Sequence, residues 1–202
     1  MNMAEDSSPK LTQTESALIR RAQKGITVSF DRLVDEHYST VYNISYRMLG
    51  EAQSASDATQ VAFVRAFEAL SGFRGEAAFK TWLYRIAVNV CLDEIRRRES
   101  GPLSLTTEDE RGESPVEREI PDESDEPAGR AEQRERQEVV HAALTCLPED
   151  FRAIIVLYDI NGLSYQEISD TLQVPLGTVK SRLNRARHAL REELEPHLEL
   201  FT

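Results

Sequence analysis

Residues 164–194 read SYQEISDTLQVPLGTVKSRLNRARHALREEL, and this stretch decides the fold class. Ser164 is a favourable N-cap and opens a short helix that runs to Leu172. After Gln173-Val174-Pro175 a second helix begins and continues to about Glu195. A short helix, a tight turn and a longer basic helix make the layout of a helix-turn-helix. In the second helix Val179, Leu183, Ala186 and Leu190 recur at spacings of four, three and four, which turns them together toward a domain core. Thr178, Lys180, Ser181, Asn184, Arg185 and Arg187 are left to point outward. From Leu176 to Arg191 the helix also holds Arg182 and Arg191 and contains no acidic residue. Side chains of this kind in a major groove donate to guanine N7 and O6, contact adenine edges or grip phosphates. A run of arginine can also do no more than solvate a helix, but the upstream helix and turn supply the brace that a recognition helix needs.

Upstream, two more helices complete a small domain: one from Arg130 to Cys146, ended by Leu147-Pro148, and one from Glu149 to Asp159, closed by Asn161-Gly162. Before them the composition changes. Between Glu99 and Glu138 stand 14 acidic and 5 basic residues, so most of the net charge of −11 lies in this segment. Its four prolines and three glycines, with hardly any large apolar side chains, cannot bury enough surface to offset ordering entropy. Residues 99–130 are therefore expected to be a flexible acidic linker. The chain outside it is nearly neutral, which removes the objection that overall acidity raises against nucleic acid.

Ahead of the linker the apolar spacing is helical throughout. Helices are expected from Thr14 to Lys24, from Ser29 to Leu49 (Phe30, Leu33, Val34, His37, Tyr38, Val41, Ile44, Ser45, Met48), from Ala52 to Leu70 (Ala55, Val61, Ala62, Val64, Ala66, Phe67), and from Phe79 to Arg98 (Phe79, Trp82, Leu83, Ile86, Val90, Ile95). The expected fold is all-α, with a tail over residues 1–13, a helical-bundle domain over 14–98, the linker over 99–130 and a helix-turn-helix domain over 131–202.

Other classes of function find little support. The four histidines, His37, His141, His188 and His197, form no metal-binding or acid-base spacing, and there is no glycine-rich phosphate loop or nucleophile elbow. No metal, cofactor or catalytic residue is expected, and His37 reads as a core histidine. Cys91 and Cys146 lack a CxxC or Cys/His pattern and read as buried packing residues. No apolar window reaches membrane-spanning length and the first residues do not resemble a secretory signal, so a cytoplasmic protein is expected.

Two stretches carry a family resemblance: FRGEAAFKTWLYRIAVNVCLDEIRRR (residues 73–98) and LPEDFRAIIVLYDINGLSYQEISDTLQVPLGTVKSRLNRARHALREEL (residues 147–194). They resemble regions 2.3 to 2.4 and region 4 of the extracytoplasmic-function sigma factors of the sigma-70 family. The resemblance covers nearly everything outside the first dozen residues and the linker. A free-standing helix-turn-helix regulator would account for Pro175 to Arg191 but leaves FRGEAAFKTWLYRIAVN without a purpose.

What the resemblance implies is carried over residue by residue. SASDATQVAFVRAF resembles the region 2.2 helix that docks on the beta-prime coiled coil of core RNA polymerase, with Asp57, Gln60 and Phe63 as its contacts. Relatives usually carry more acidic residues here, where this chain has Ala55, Ser56 and Val61. FRGEAAF resembles the loop that accepts a flipped base of the melted minus-10 element, which needs a stacking surface and cations. Phe73, Arg74, Lys80, Tyr84, Arg85, Asn89, Arg96 and Arg97 are the implied minus-10 residues. Trp82 reads as either core or base platform, and Arg96-Arg97-Arg98 as phosphate contacts or as a cap on the helix dipole.

For the minus-35 element, Lys180, Ser181, Asn184 and Arg185 are the implied base contacts, and Arg182, Arg187 and Thr178 the phosphate contacts. Phe151, Ile154, Ile155, Leu157 and Tyr158 resemble the surface that meets the beta flap. An anti-sigma factor is a further implied partner. The linker is expected either to thread the basic RNA path of the polymerase or only to space the domains.

Overall fold

The computed structural model describes residues 13–100 and 127–201. Every regular element among them is helical. In the first domain α1 spans Gln13–Gln23, α2 Thr27–Leu49, α3 Ala52–Ala69 and α4 Phe79–Ser100, with a 3-10 turn at Leu70–Gly72. In the second, α5 spans Pro127–Cys146, α6 Glu149–Ile155, α7 Tyr165–Leu172 and α8 Leu176–Leu194, followed by a 3-10 segment, Glu195–Phe201. The expected linker falls mostly on residues outside those described. At its edges α4 runs to Ser100 and α5 starts at Pro127, since proline is well suited to the first turn of a helix, where its missing N–H is not needed.

In the first domain the buried apolar cluster joins Leu33, Val41, Ile44 and Met48 of α2 to Phe79, Leu83 and Val88 of α4. Helix α3 contributes Ala55, Ala58, Ala62 and Ala66, whose small side chains let the neighbouring helices come close. The expected stripe on α3 was therefore half wrong. Val61, Val64 and Phe67 are 42%, 58% and 44% exposed, because the alanine face, not the valine face, turns inward.

The same cluster continues into the second domain, where Leu144, Leu147, Ile154, Leu157 and Ile168 gather around Val179, Leu183 and Ala186 of α8. After α6 the backbone widens into a π turn, with the Asn161 N–H reaching the Val156 carbonyl at 3.1 Å and the Asn161 amide capping the same oxygen. Ser164 and Glu167 form a reciprocal capping box at the start of α7. Gln173 closes that helix with φ 54, a left-handed conformation that a non-glycine residue adopts at some cost, and so makes the tight turn into α8.

The domains touch where α2 ends. Gly50 stops α2 with φ 81, and a side chain built there would come within 2.8 Å of Thr145 Cγ2, so α5 sits against bare backbone. His141 lies 3.3 Å from the Gly50 carbonyl and stacks on Tyr46 with ring centres 4.1 Å apart. Arg152 donates to the Met48 carbonyl of α2 and, within its own domain, to the Thr145 and Leu147 carbonyls at the end of α5.

Of the two cysteines, Cys91 is buried, which pushes its thiol up to about 12, but Cys146 is exposed, contrary to its expected packing role. His37 is buried against the Phe79 ring, 3.4 Å from Glu15. No described helix is long and apolar enough to cross a membrane.

Candidate nucleic-acid interface

Helix α8 divides cleanly. Val179, Leu183 and Ala186 are buried, while Lys180, Ser181, Asn184 and Arg185 are all exposed on the opposite side. Lys180 stands over the Tyr165 ring at 5.9 Å, which steadies a long side chain at the mouth of the turn. Arg185 bonds back to the Ser181 carbonyl at 3.4 Å. Among the described residues neither has a carboxylate partner within ion-pair distance.

The expected phosphate contacts differ from these. Thr178 is half-buried at the first turn. Arg182 pairs with Asp150 at 3.0 Å and keeps only 17% of its side chain exposed. Arg187 grips Asp159 through both Nε and Nη2 and lies over the Tyr158 ring at 5.2 Å; the hydrogen bonds it donates to Asp159 hold its guanidinium above the usual range. Both arginines fasten α8 to α6 and its π turn. Ile154, Ile155 and Leu157 are fully buried and serve this core, leaving Phe151 and Tyr158 half-exposed from the surface expected to meet a partner.

In the first domain the loop from Leu70 to Ala78 leads into α4. The Gln23 side-chain amide donates to the Leu70 and Phe73 carbonyls at 3.1 and 2.9 Å and so ties the loop to α1. Phe73, Phe79 and Trp82 form an aromatic cluster with centroids 5.1 to 5.6 Å apart, Phe79 fully buried and the other two half-buried. Trp82 is thus both partly core and partly surface. Arg74 is exposed, Gly75 turns the loop with φ 74, Asn89 is exposed and Arg85 half-buried.

Tyr84 is 7% exposed, and burial pushes its hydroxyl up in pKa against a hydrogen bond with Thr40. It is a core residue, because α4 packs on several neighbours and buries a wider arc than one stripe. Arg97 and Arg98 both bond to Glu94, whose carboxyl they hold low against the opposing effect of burial. Arg96 instead reaches Glu149 of the second domain at 3.2 Å. Lys80 lines an open cleft of about 540 Å³ with Tyr158, Asn161, Ser164 and Glu167, also of the second domain.

On α3, Asp57 and Gln60 are exposed, and Asp57 accepts a hydrogen bond from Gln53 at 3.1 Å. Phe63 is 8% exposed and stacked on Tyr38, so it shapes this face from beneath. Sequence reasoning missed that Val61, Val64 and Phe67 continue the face. The signal was there, since 57, 60, 61, 64 and 67 share helical spacing of three and four, opposite the alanines.

The model of the family described as Sigma-70 region 2 matches residues 33–101, and that of Sigma-70, region 4, matches residues 137–190. The chain is 36% identical over 194 residues to the RNA polymerase sigma-H factor of Pseudomonas aeruginosa, across 93% of this chain and 98% of that one. It is 34% identical over 183 residues to the ECF RNA polymerase sigma-E factor of Escherichia coli K12, across 91% and 95%. In fold it is similar to the sigma factor RpoE solved in complex with the anti-sigma factor NepR from Bartonella quintana. The TM-score is 0.61 at 22% identity, across 82% and 96% of the two chains.

Proposed function

The chain belongs to the extracytoplasmic-function sigma factors of the sigma-70 family, which direct promoter-specific transcription, and from that premise we propose a division of labour between its two domains. Helix α8 reads the minus-35 element as duplex. Helix α4 and the loop before it hold the minus-10 element as melted non-template strand. The exposed face of α3, with Asp57 and Gln60, docks on the beta-prime coiled coil of core RNA polymerase, and the flank of α6 meets the beta flap. Sigma factors are not enzymes in the catalytic sense, so initiation chemistry belongs to the polymerase.

One observation carries the reading: Lys180, Ser181, Asn184 and Arg185 are exposed together, opposite Val179, Leu183 and Ala186, none of which is more than 2% exposed. Such a helix presents donors to base edges from a rigid frame. Each domain alone makes a modest contact, and tethering raises the effective concentration of the second once the first has bound. An anti-sigma factor is proposed as a further partner, on the strength of the similar fold solved with one bound.

The test is run-off transcription with bacterial core polymerase, with and without this protein, on a pool of randomised promoters whose transcribed templates are sequenced. Transcripts that depend on the protein and share a spaced pair of motifs are the expected result. If the core enzyme gains nothing and the protein alone selects a duplex motif, the division of labour is wrong.

A further inference from the structure

Helix α1 lies ahead of residues 33–101, which the region 2 model matches, yet its last residue holds the loop assigned to the flipped base. The Gln23 amide nitrogen donates to the Leu70 carbonyl at 3.1 Å and to the Phe73 carbonyl at 2.9 Å, across 47 and 50 residues of sequence. A side-chain amide has two N–H donors, and both are used on this loop. The Leu70 carbonyl also accepts from the Phe73 N–H at 3.1 Å, which closes the turn between the two acceptors. Among the described residues no other side-chain hydrogen bond reaches residues 70–78.

Helix α1 is itself fixed. Ile19 and Ala22 are buried, and Glu15 lies 3.4 Å from His37, whose ring packs 5.5 Å from that of Phe79 at the start of α4. The helix therefore bears on the loop at both limbs, through Gln23 where the loop begins and through Glu15 and His37 where it ends. The middle is open. Arg74, Gly75, Glu76 and Ala77 are exposed, Gly75 takes φ 74, and nothing lies within 4 Å of a side chain built there. Phe73 joins the held part to the open part, its carbonyl bonded to Gln23 and its ring 5.1 Å from Trp82.

Stability gains little from these bonds, because Gln23 is exposed and water would serve the two carbonyls if the amide withdrew. What water cannot do is fix where they stand. A loop that takes an extruded base needs its stacking and bonding groups held in place by a supporting shell.

We propose that Gln23 is a positioning residue for minus-10 recognition: by holding the Leu70 and Phe73 carbonyls it sets the place of Phe73 and Arg74, and so how sharply the loop distinguishes one base of the melted strand from another. The inference rests on the sigma-factor reading above and adds α1 to the part of the chain that reads a promoter.

The experiment uses the full chain with Gln23→Met, which keeps the side-chain length and has no donor, and with Gln23→Lys, whose ammonium again offers donors to two carbonyls. Trp82 is the single tryptophan of the chain, so its emission and its quenching by acrylamide report the cluster beside Phe73 without polymerase or DNA. The run-off assay on randomised promoters then gives the base preference at each position of both elements. Preference is a ratio, so the added lysine charge, which strengthens binding to every sequence alike, cancels from it.

Gln23→Met is expected to shift Trp82 emission to the red and to raise its quenching. In the same variant the preference for the favoured minus-10 base should fall about fivefold, the factor that one hydrogen bond of ordinary strength sustains, with the minus-35 preference unchanged. Gln23→Lys should restore both readings. A chain that was merely less stable would give fewer transcripts with the same preferences, and that result overturns the positioning role. Unchanged Trp82 emission and quenching in Gln23→Met, or a lysine variant that behaves like the methionine one, overturns it as well. The unaltered chain separates the two readings: if it directs initiation and Gln23→Met keeps its minus-10 preference, only the positioning role falls, whereas if it adds no transcripts to core polymerase, the sigma-factor reading falls and takes this inference with it.

Discussion

Helices α8 and α4 both carry cations assigned to DNA, yet they offer them differently. In α8 one narrow stripe is buried and the polar residues stand clear on the other side, held by ion pairs at Arg182 and Arg187. In α4 burial takes in Phe79, Thr81, Leu83, Tyr84, Ala87, Val88, Val90, Cys91 and Leu92, which leaves a thin strip, and two cations at its ends face the second domain. A helix packed on one side shows its function on its surface. A helix packed on several sides must share its residues between holding the fold and meeting a ligand, and only the three-dimensional arrangement says which residue does which.

The largest effect should come from the buried stripe of α8. Leu183→Ala is expected to cost about 3 kcal/mol of the second domain's stability, measured by urea unfolding, because it leaves a cavity at a site 2% exposed. A cost under about 1 kcal/mol would mean that the stripe does not anchor the helix. Next comes the outward face. Lys180→Ala combined with Arg185→Ala should weaken promoter-directed run-off by about a hundredfold or more, at about 1 to 3 kcal/mol per base contact, with the melting temperature unchanged. Unaltered transcription would break the assignment of α8 as the reader.

On α4 the two kinds of residue should separate. Tyr84→Phe is expected to lower stability by about 1 kcal/mol through its lost hydrogen bond with Thr40 and to leave single-strand binding alone. Asn89→Ala, at an exposed position, should do the reverse, with unchanged melting and weaker binding of minus-10 single strand. If both variants change both properties, the strip on α4 is not distinct from its core.

The smallest effect is a pH dependence where the domains meet. Burial and the neighbouring Arg47 and Arg152 charges lower the His141 pKa from its ordinary 6.5, against the Gly50 carbonyl that favours the protonated ring. A histidine depressed in this way supports docking while neutral, above pH 6.5, and that support is lost as the pH falls below it. Glu167, held below its usual range, stays ionised through this window. The distance between dyes on Glu68→Cys and Glu138→Cys, in a Cys146→Ser background, should therefore lengthen between about pH 7.5 and about pH 5.5, and His141→Gln should flatten the change. A pH-independent distance in the unaltered chain would remove His141 from the contact.

Much of the fold was legible because it is written at short range. The capping residue Ser164, the turn at Gln173 and the spacing of Val179, Leu183 and Ala186 are all local signals, and α7 and α8 follow them within a residue or so. The same logic misled on α3. The expected stripe set Val61, Val64 and Phe67 beside Ala55, Ala62 and Ala66, but a helix squeezed between two others buries only its smallest face. Tyr84 was read as a DNA contact from its place in a motif, with nothing nearby to reveal that Thr40 and the surrounding helices would enclose it.

The sequence by itself determined that the chain is helical, that an acidic segment divides it, and that a basic helix follows a braced turn, because hydrophobic period, caps and charge runs act between residues a few positions apart. Only the tertiary structure decided that α3 turns its valines outward and that Arg152 bonds across to the end of α2. It alone decided, too, that Glu149 and Glu167 face the cations of α4. The cross-domain contacts depend on partners some 50 to 100 residues away, and a periodic pattern carries no record of which distant side chain will be waiting on the other side.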